Sequence, residues 1–165
     1  MQRTQVDVRP AGPGDADGVR KFLLDLSLHT QTHRFFAGLT RPTNTLIGAM
    51  LARDERRDAL LATVDSMVIG HAMAYRKGDE AEIAVVVADA WQNQGVGSRL
   101  IRELVARGVG IRWLTMDVMG ENRRVLAMIN RAWPEAEMAV EHGSVQVRAS
   151  LAFAEQSSVG PPLTV

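Results

Sequence analysis

The order of hydrophobic patterns predicts an α/β (α+β) domain: a mixed, mostly antiparallel sheet of about six to seven strands flanked by helices. Three observations predict it. Short strand-like runs follow one another from Ala59 onward, separated by turn residues. Stretches of helical spacing lie ahead of them, around Val19 and Ile47. Two further helical stretches cross between strands, after Ala88 and after Met119.

Taken in order, Gln5 to Arg9 alternates and stops at Pro10, as a short edge strand does. Ala11 to Gly14 reads as a turn, and Asp15 caps a helix to about Leu28, with Val19, Phe22, Leu23 and Leu26 along one face. Leu28 to Phe36 reads equally as a short helix or a loop. Thr43 or Asn44 caps the next helix, which carries Leu46, Ile47, Met50 and Leu51. Ala59–Val64 and Met67–Tyr75 form a hairpin around Asp65-Ser66, and Lys77-Gly78-Asp79 turns the chain again. Ala81 to Ala88 is nearly continuous in apolar residues, the pattern of a strand buried on both faces. Asn93 to Gly97 leads into a helix with Leu100, Ile101, Leu104 and Val105 on one side, ending near Gly108. Ile111–Met119 is a strand. Gly120-Glu121-Asn122 opens a helix that Pro134 stops, and Glu137–His142 and Val145–Leu151 close the chain as a hairpin around Gly143-Ser144. No repeat or linker interrupts this order. One domain over residues 1–155 is expected, with 156–165 as a flexible tail.

Composition narrows the function. Nineteen Lys and Arg balance nineteen Asp and Glu, which argues against a nucleic-acid partner. The absence of cysteine excludes disulfides, thiolate metal sites and a cysteine nucleophile. His29 and His33 have the i,i+4 spacing of a metal pair, but no third ligand accompanies them, and no metal is expected. His71, in an apolar strand, reads as a hydrogen-bonded sheet residue. No apolar run reaches the length of a membrane span, and the N-terminus has no secretory pattern. A soluble, cytoplasmic protein is expected, monomer or homodimer alike.

The sharpest feature is strand, glycine-rich turn, helix: AEIAVVVADAWQNQGVGSRLIREL. A helix start offers unpaired N–H groups and the positive end of the peptide dipole, which favours phosphate. Gly95 and Gly97 let an anion approach the backbone. Ser98 offers a hydroxyl, and Arg99 or Arg102 a charge. On the glycines alone, a tight strand-to-helix turn explains the pattern equally well.

Gln92-x-x-Gly95-x-Gly97 resembles the pyrophosphate-binding motif of the GNAT superfamily of N-acetyltransferases, at the place between fourth strand and helix where that family has it. Val118 to Asn122 resembles the family's segment after strand five, and the element order matches from about Val6 to Leu151. The resemblance implies a sheet splayed between strands four and five, with acetyl-CoA as cofactor. It places pantetheine against backbone groups of Val85, Val86 and Val87, and pyrophosphate on backbone groups of Gln92, Asn93, Gln94, Gly95, Val96, Gly97 and Ser98. Asn122 would contact the pantetheine arm or its bound water.

Acetyl transfer to an amine needs a base. Glu82, within an otherwise apolar strand, is the first candidate, since desolvation raises carboxylate basicity. Alternation puts Glu80 on the same face, so it stays a candidate. The resemblance implies a strand-four N–H near Val85 for the oxyanion. It also implies a Tyr acid in the helix after strand five, where this chain has none; its single tyrosine is Tyr75.

Leu26 to Phe36 resembles a segment of bacterial protein lysine acetyltransferases, written L-S-x-x-S-x-x-x-R-F, with Thr30 in place of the second Ser. The resemblance implies a protein lysine as acceptor, as in acyl-CoA synthetases that the subgroup targets. It marks Ser27, His33, Arg34 and Phe35 as substrate-side residues, although packing explains Phe35 and Phe36 as well. Larger members of the subgroup carry regulatory domains, and no such regulation is expected here. A small-molecule amine acetyltransferase and a non-catalytic acyl-CoA-binding domain are the alternatives.

Overall fold

The computed structural model describes residues 4–36, 38–39 and 41–151. Its elements run β1 (Asp7–Pro10), α1 (Ala16–Asp25), α2 (Leu28–Phe35), α3 (Asn44–Leu51), β2 (Arg57–Val64), β3 (Met67–Lys77), β4 (Glu80–Val87), α4 (Val96–Arg107), β5 (Trp113–Met119), α5 (Arg123–Ala132), β6 (Glu137–Glu141) and β7 (Ser144–Ser150). The expected tail, 156–165, lies outside the described residues. The segment that reads as helix or loop is α2. Ser27 caps it by accepting from the Thr30 N–H at 3.2 Å, and Phe36 ends it in the left-handed conformation, φ 61°.

The strands form one 7-stranded sheet in the order β1-β2-β3-β4-β5-β7-β6. Every neighbouring pair is antiparallel except β4 and β5. The β2–β3 hairpin turns on Asp65 (φ 47°) and Ser66 (φ 68°), both left-handed, the backbone that matches strand twist in a two-residue loop. The last hairpin turns on His142 (φ 50°) and Gly143 (φ 80°), so Ser144 belongs to β7, one residue from the expected boundary.

Two cores form, one on each face. α4 and α5 lay Leu100, Ile101, Leu104, Met128 and Ile129 against Leu60, Ile69, Ile83, Leu114 and Val147. α1 and α3 lay Val19, Phe22, Leu23, Ile47 and Met50 against Leu61, Val68 and Val86. Leu23 and Leu100 are fully buried, and side chains of this kind each stabilise the fold by about 1.5–3 kcal/mol relative to exposure.

The parallel pair is brief. β4 and β5 align only at Glu80↔Trp113, Ala81↔Leu114 and Glu82↔Thr115, then part. The splay that the resemblance implies is therefore present. It also corrects the expectation of a strand buried on both faces: Glu82 is exposed, and Ala84, Val85 and Val87 are half-buried because β5 has left their flank.

His71 is fully buried on β3, and its Nε2–H donates to the Met50 carbonyl at 2.7 Å. Burial holds its pKa at about 4, below the ordinary 6.5. The unfolded chain thus binds protons more tightly between those values, so the stability is complete above the upper value and is lost on acidification toward the lower one. The unfolding free energy from urea titration should fall as pH drops from 7 to about 4.5, by an amount on the order of a few kcal/mol. His71→Gln should flatten that slope.

Candidate active site

The site begins where β4 ends. The Ala88 N–H donates to the Ile69 carbonyl at 2.8 Å, which fixes the parity of the strand. Even-numbered residues, Val86 included, spend their backbone groups on β3, where Val86 pairs with His71. Odd-numbered Ile83, Val85 and Val87 turn theirs toward the gap left by β5. Of the three valines expected to meet a ligand through the backbone, Val85 and Val87 are so placed, and Val86 is not.

Gln92 folds back across the gap. Its Nε2 donates to the Val87 carbonyl at 3.0 Å and to the Thr30 hydroxyl at 3.1 Å. Asn93 (φ 62°) and Gly95 (φ 82°) then take left-handed conformations that turn the chain into α4. The first helical bond is Arg99 N–H to the Gly95 carbonyl at 3.0 Å, so the amides ahead of it have no helical acceptor. A Cβ on Gly97 would meet only the Val87 methyl, at an ordinary 3.6 Å. No internal clash calls for glycine there, and the open side of the cleft is the side it keeps flush.

The Ser98 hydroxyl departs from expectation: the side chain is fully buried, 3.9 Å from the Met128 sulfur, while the Ser98 backbone N–H is among the amides without a helical acceptor. Arg99 points away, donating to the Val6 carbonyl at 2.5 Å and to Glu103 at 3.0 Å. The cations that line the cleft are instead Arg34 on α2 and Arg123 and Arg124 at the start of α5, and Arg124 donates to the Asn93 side chain at 2.9 Å. Asn122 caps α5, accepting from the Val125 N–H at 3.4 Å.

Two clefts result. One, of about 350 Å³, lies beside the end of β4 and the starts of α4 and α5; Val85, Val86, Val87, Gln92, Asn93, Gly97 and Asn122 line it, while Gln94, Gly95 and Val96 do not. The other, of about 310 Å³, opens on the α2 side over Glu82, Ala84, Val85 and Asp117. His33, Arg34, Val85, Asn122 and Val125 line both.

The two candidate carboxylates separate here. Glu80 accepts from Arg148 at 2.8 Å, with the guanidinium stacked 3.7 Å over Trp113, and lines neither cleft. Glu82 faces the second cleft with no hydrogen bond or ion pair among the described residues. Phe35 lines that cleft and lies 4.6 Å beneath the Arg34 guanidinium. His29 and His33 do meet, their ring centroids 4.0 Å apart. Burial, then the His29 ring, hold the His33 pKa below its ordinary value against the pull of Glu121. Ser27 lines neither cleft: its hydroxyl donates to Asp89 at 2.6 Å and its oxygen caps α2.

Asp89 is the residue that sequence reasoning missed. It accepts from the Ser27 N–H at 2.9 Å, the Ser27 hydroxyl and the Thr30 hydroxyl at 2.7 Å, tying the start of α2 to the end of β4. Burial alone would raise its pKa, but these donors outweigh it and hold the carboxyl below its ordinary value. The signal, Ser-x-x-Thr at one place and Asp89 at another, spans some sixty positions with nothing local to join them.

The sequence model of the acetyltransferase (GNAT) family matches residues 21–132. The chain belongs to the GNAT family of N-acetyltransferases. It resembles the GNAT domain of S. lividans PAT, with a TM-score of 0.81, 27% identity, and coverage of 88% of this chain and 90% of that one. It is also 26% identical over 151 residues to acetyltransferase Pat of Mycolicibacterium smegmatis, over 85% of this chain; that stretch spans only 45% of the relative's length. An acetyltransferase from Thermus thermophilus shares the fold, with a TM-score of 0.71 at 19% identity, covering 92% of this chain and 100% of that one.

Because Asp89 anchors α2, Asp89→Ala should lower stability by about 1–2 kcal/mol, read as a fall in thermal midpoint. Hydrogen exchange should speed up in 28–35 and little elsewhere.

Proposed function

We propose that the chain is an acetyl-CoA-dependent N-acetyltransferase that acts on a protein lysine Nε-amine, with Glu82 as general base. The observation that carries the reading is the placement of Glu82: an unpaired carboxylate in the acceptor-side cleft, next to the wall shared with the cofactor-side cleft. The cofactor-side cleft fits a long ligand with a phosphate end. It has free strand groups at Val85, a flush Gly97, helix-start amides, and Arg123 and Arg124 at its rim. When bound there, acetyl-CoA supplies an acyl group on a good thiol leaving group.

The residues then have these roles. Val85 offers its N–H to the acyl oxygen, where charge gathers as the amine attacks. Gln92 caps the Val87 carbonyl and keeps that edge from closing on β5. Asn122 orients the start of α5 beside the gap. Glu82 takes the proton from the acceptor ammonium, directly or through a water, and with Asp117 gives the cleft the negative charge that suits a cation. Phe35 and His33 bound the cleft on the α2 side.

The likeness to Pat-type enzymes and the Leu26–Phe36 stretch support a lysine acceptor, acyl-CoA synthetases among the targets. The same pair of carboxylates suits a polyamine, so both acceptors belong in the test. With a panel of lysine-bearing proteins beside polyamines, amino acids and aminoglycosides, turnover of acetyl-CoA is expected on the proteins. Turnover on small amines alone would reassign the acceptor, and tight CoA binding with no turnover would make this a binding domain. Glu82→Gln should lower kcat at neutral pH by about 10²–10⁴-fold; full activity would move the base elsewhere. Gly97→Glu should abolish CoA binding by calorimetry, through bulk and like charge. Unchanged affinity would count against the phosphate site.

A further inference from the structure

An acyl group that passes from cofactor to acceptor must lie against the wall that both clefts share. Of the residues forming that wall, Arg34 carries the fixed charge. Its partners are poor ones for a cation. Nη2 donates to the Met73 sulfur at 3.3 Å, and the Phe35 ring lies 4.6 Å away. Nε is buried with no acceptor. Glu82 acts on it through space without an ion pair, and burial lowers its pKa to about 10, which leaves it cationic at neutral pH. A guanidinium that is half-buried among neutral groups is destabilising unless an anion comes to it. No phenol stands ready at this wall: Tyr75 lies opposite Glu82 in the sheet register but is exposed and lines neither cleft.

We propose that Arg34 meets the thiolate that leaves when the acyl group is transferred, in place of a proton donor. This rests on the reading of the chain as an acetyl-CoA-dependent transferase. The amine lone pair forms the N–C bond, the C–S bond breaks, and its electron pair stays on sulfur. The guanidinium balances the new charge. Glu82 already holds the proton taken from the ammonium, so the proton that nitrogen sheds as the amide forms goes to solvent water. Water protonates the thiolate after it departs. A thiolate within contact of a cation is favoured over its thiol, so the effect persists in the simple complex with CoA. Other charged and titratable groups face the same region: His29, Glu121, Arg123 and Arg124 from the cofactor side, Glu82 and Asp117 from the acceptor side, and His33 from both.

The test titrates the thiol of protein-bound CoA by its thiolate absorbance in the ultraviolet. Below the midpoint of free CoA, the wild-type complex should hold on the order of tenfold more thiolate than free CoA does. Arg34→Lys should keep most of that excess, Arg34→Gln should lose it, and Tyr75→Phe should leave it unchanged. Desulfo-CoA should bind wild type and Arg34→Gln equally, since it has no sulfur to meet. A wild-type complex that titrates like free CoA would overturn the assignment, as would Arg34→Gln titrating like wild type or Tyr75→Phe losing the excess. If Arg34→Gln does not fold, the wild-type and Lys titrations decide. Failure of wild type to bind CoA at all would instead remove the cofactor reading beneath it.

Discussion

Everything functional in this molecule follows from the parting of β4 and β5 after three paired residues. Backbone N–H and C=O groups are obligatory hydrogen-bonding groups, and a strand that loses its neighbour inside a domain must satisfy them another way. Here one carbonyl, at Val87, is met by the Gln92 side chain. The groups of Val85 are left facing the gap. A seven-stranded sheet with fully paired strands would have no room for a ligand between its halves. The brief parallel pairing holds the halves together at one end and opens them at the other.

The helices that border the gap are held by polar contacts as well as apolar ones. α4 is seated by Leu100, Ile101 and Leu104 in the core beneath the sheet. α2 has less apolar burial; its buried residues are Thr30 and Gln31. Gln31 donates to the Leu23 carbonyl at 3.1 Å and accepts from the Leu39 N–H at 2.9 Å, while Thr30 donates to Asp89. A helix positioned by directional bonds has a defined azimuth. That is what brings His33, Arg34 and Phe35 to the clefts rather than to solvent.

Charge is unevenly spread over the two clefts. Arg123 and Arg124 line the larger one beside Glu121, and Glu82 and Asp117 line the smaller. Between them lies Arg34, a cation with neutral partners. The net charge of zero over the whole chain conceals this separation, because composition sums what the fold keeps apart.

The sequence by itself determined the order of elements, the hairpin turns and the strand–glycine–helix segment, because these rest on period, turn chemistry and residues close in the chain. It also pointed to Glu82 as a lone charge in an apolar run. Only the tertiary structure decided which carboxylate is free, since Glu80 is occupied by Arg148 from a strand 68 positions away. It likewise turned the Ser98 side chain inward against Met128, aimed the Val86 backbone at β3, made Ser27 a cap away from both clefts, and brought Arg124 rather than Arg99 to the cleft. Each of these depends on which side of a strand or helix faces which neighbour. That is set by packing and by long-range partners, which no window along the chain contains.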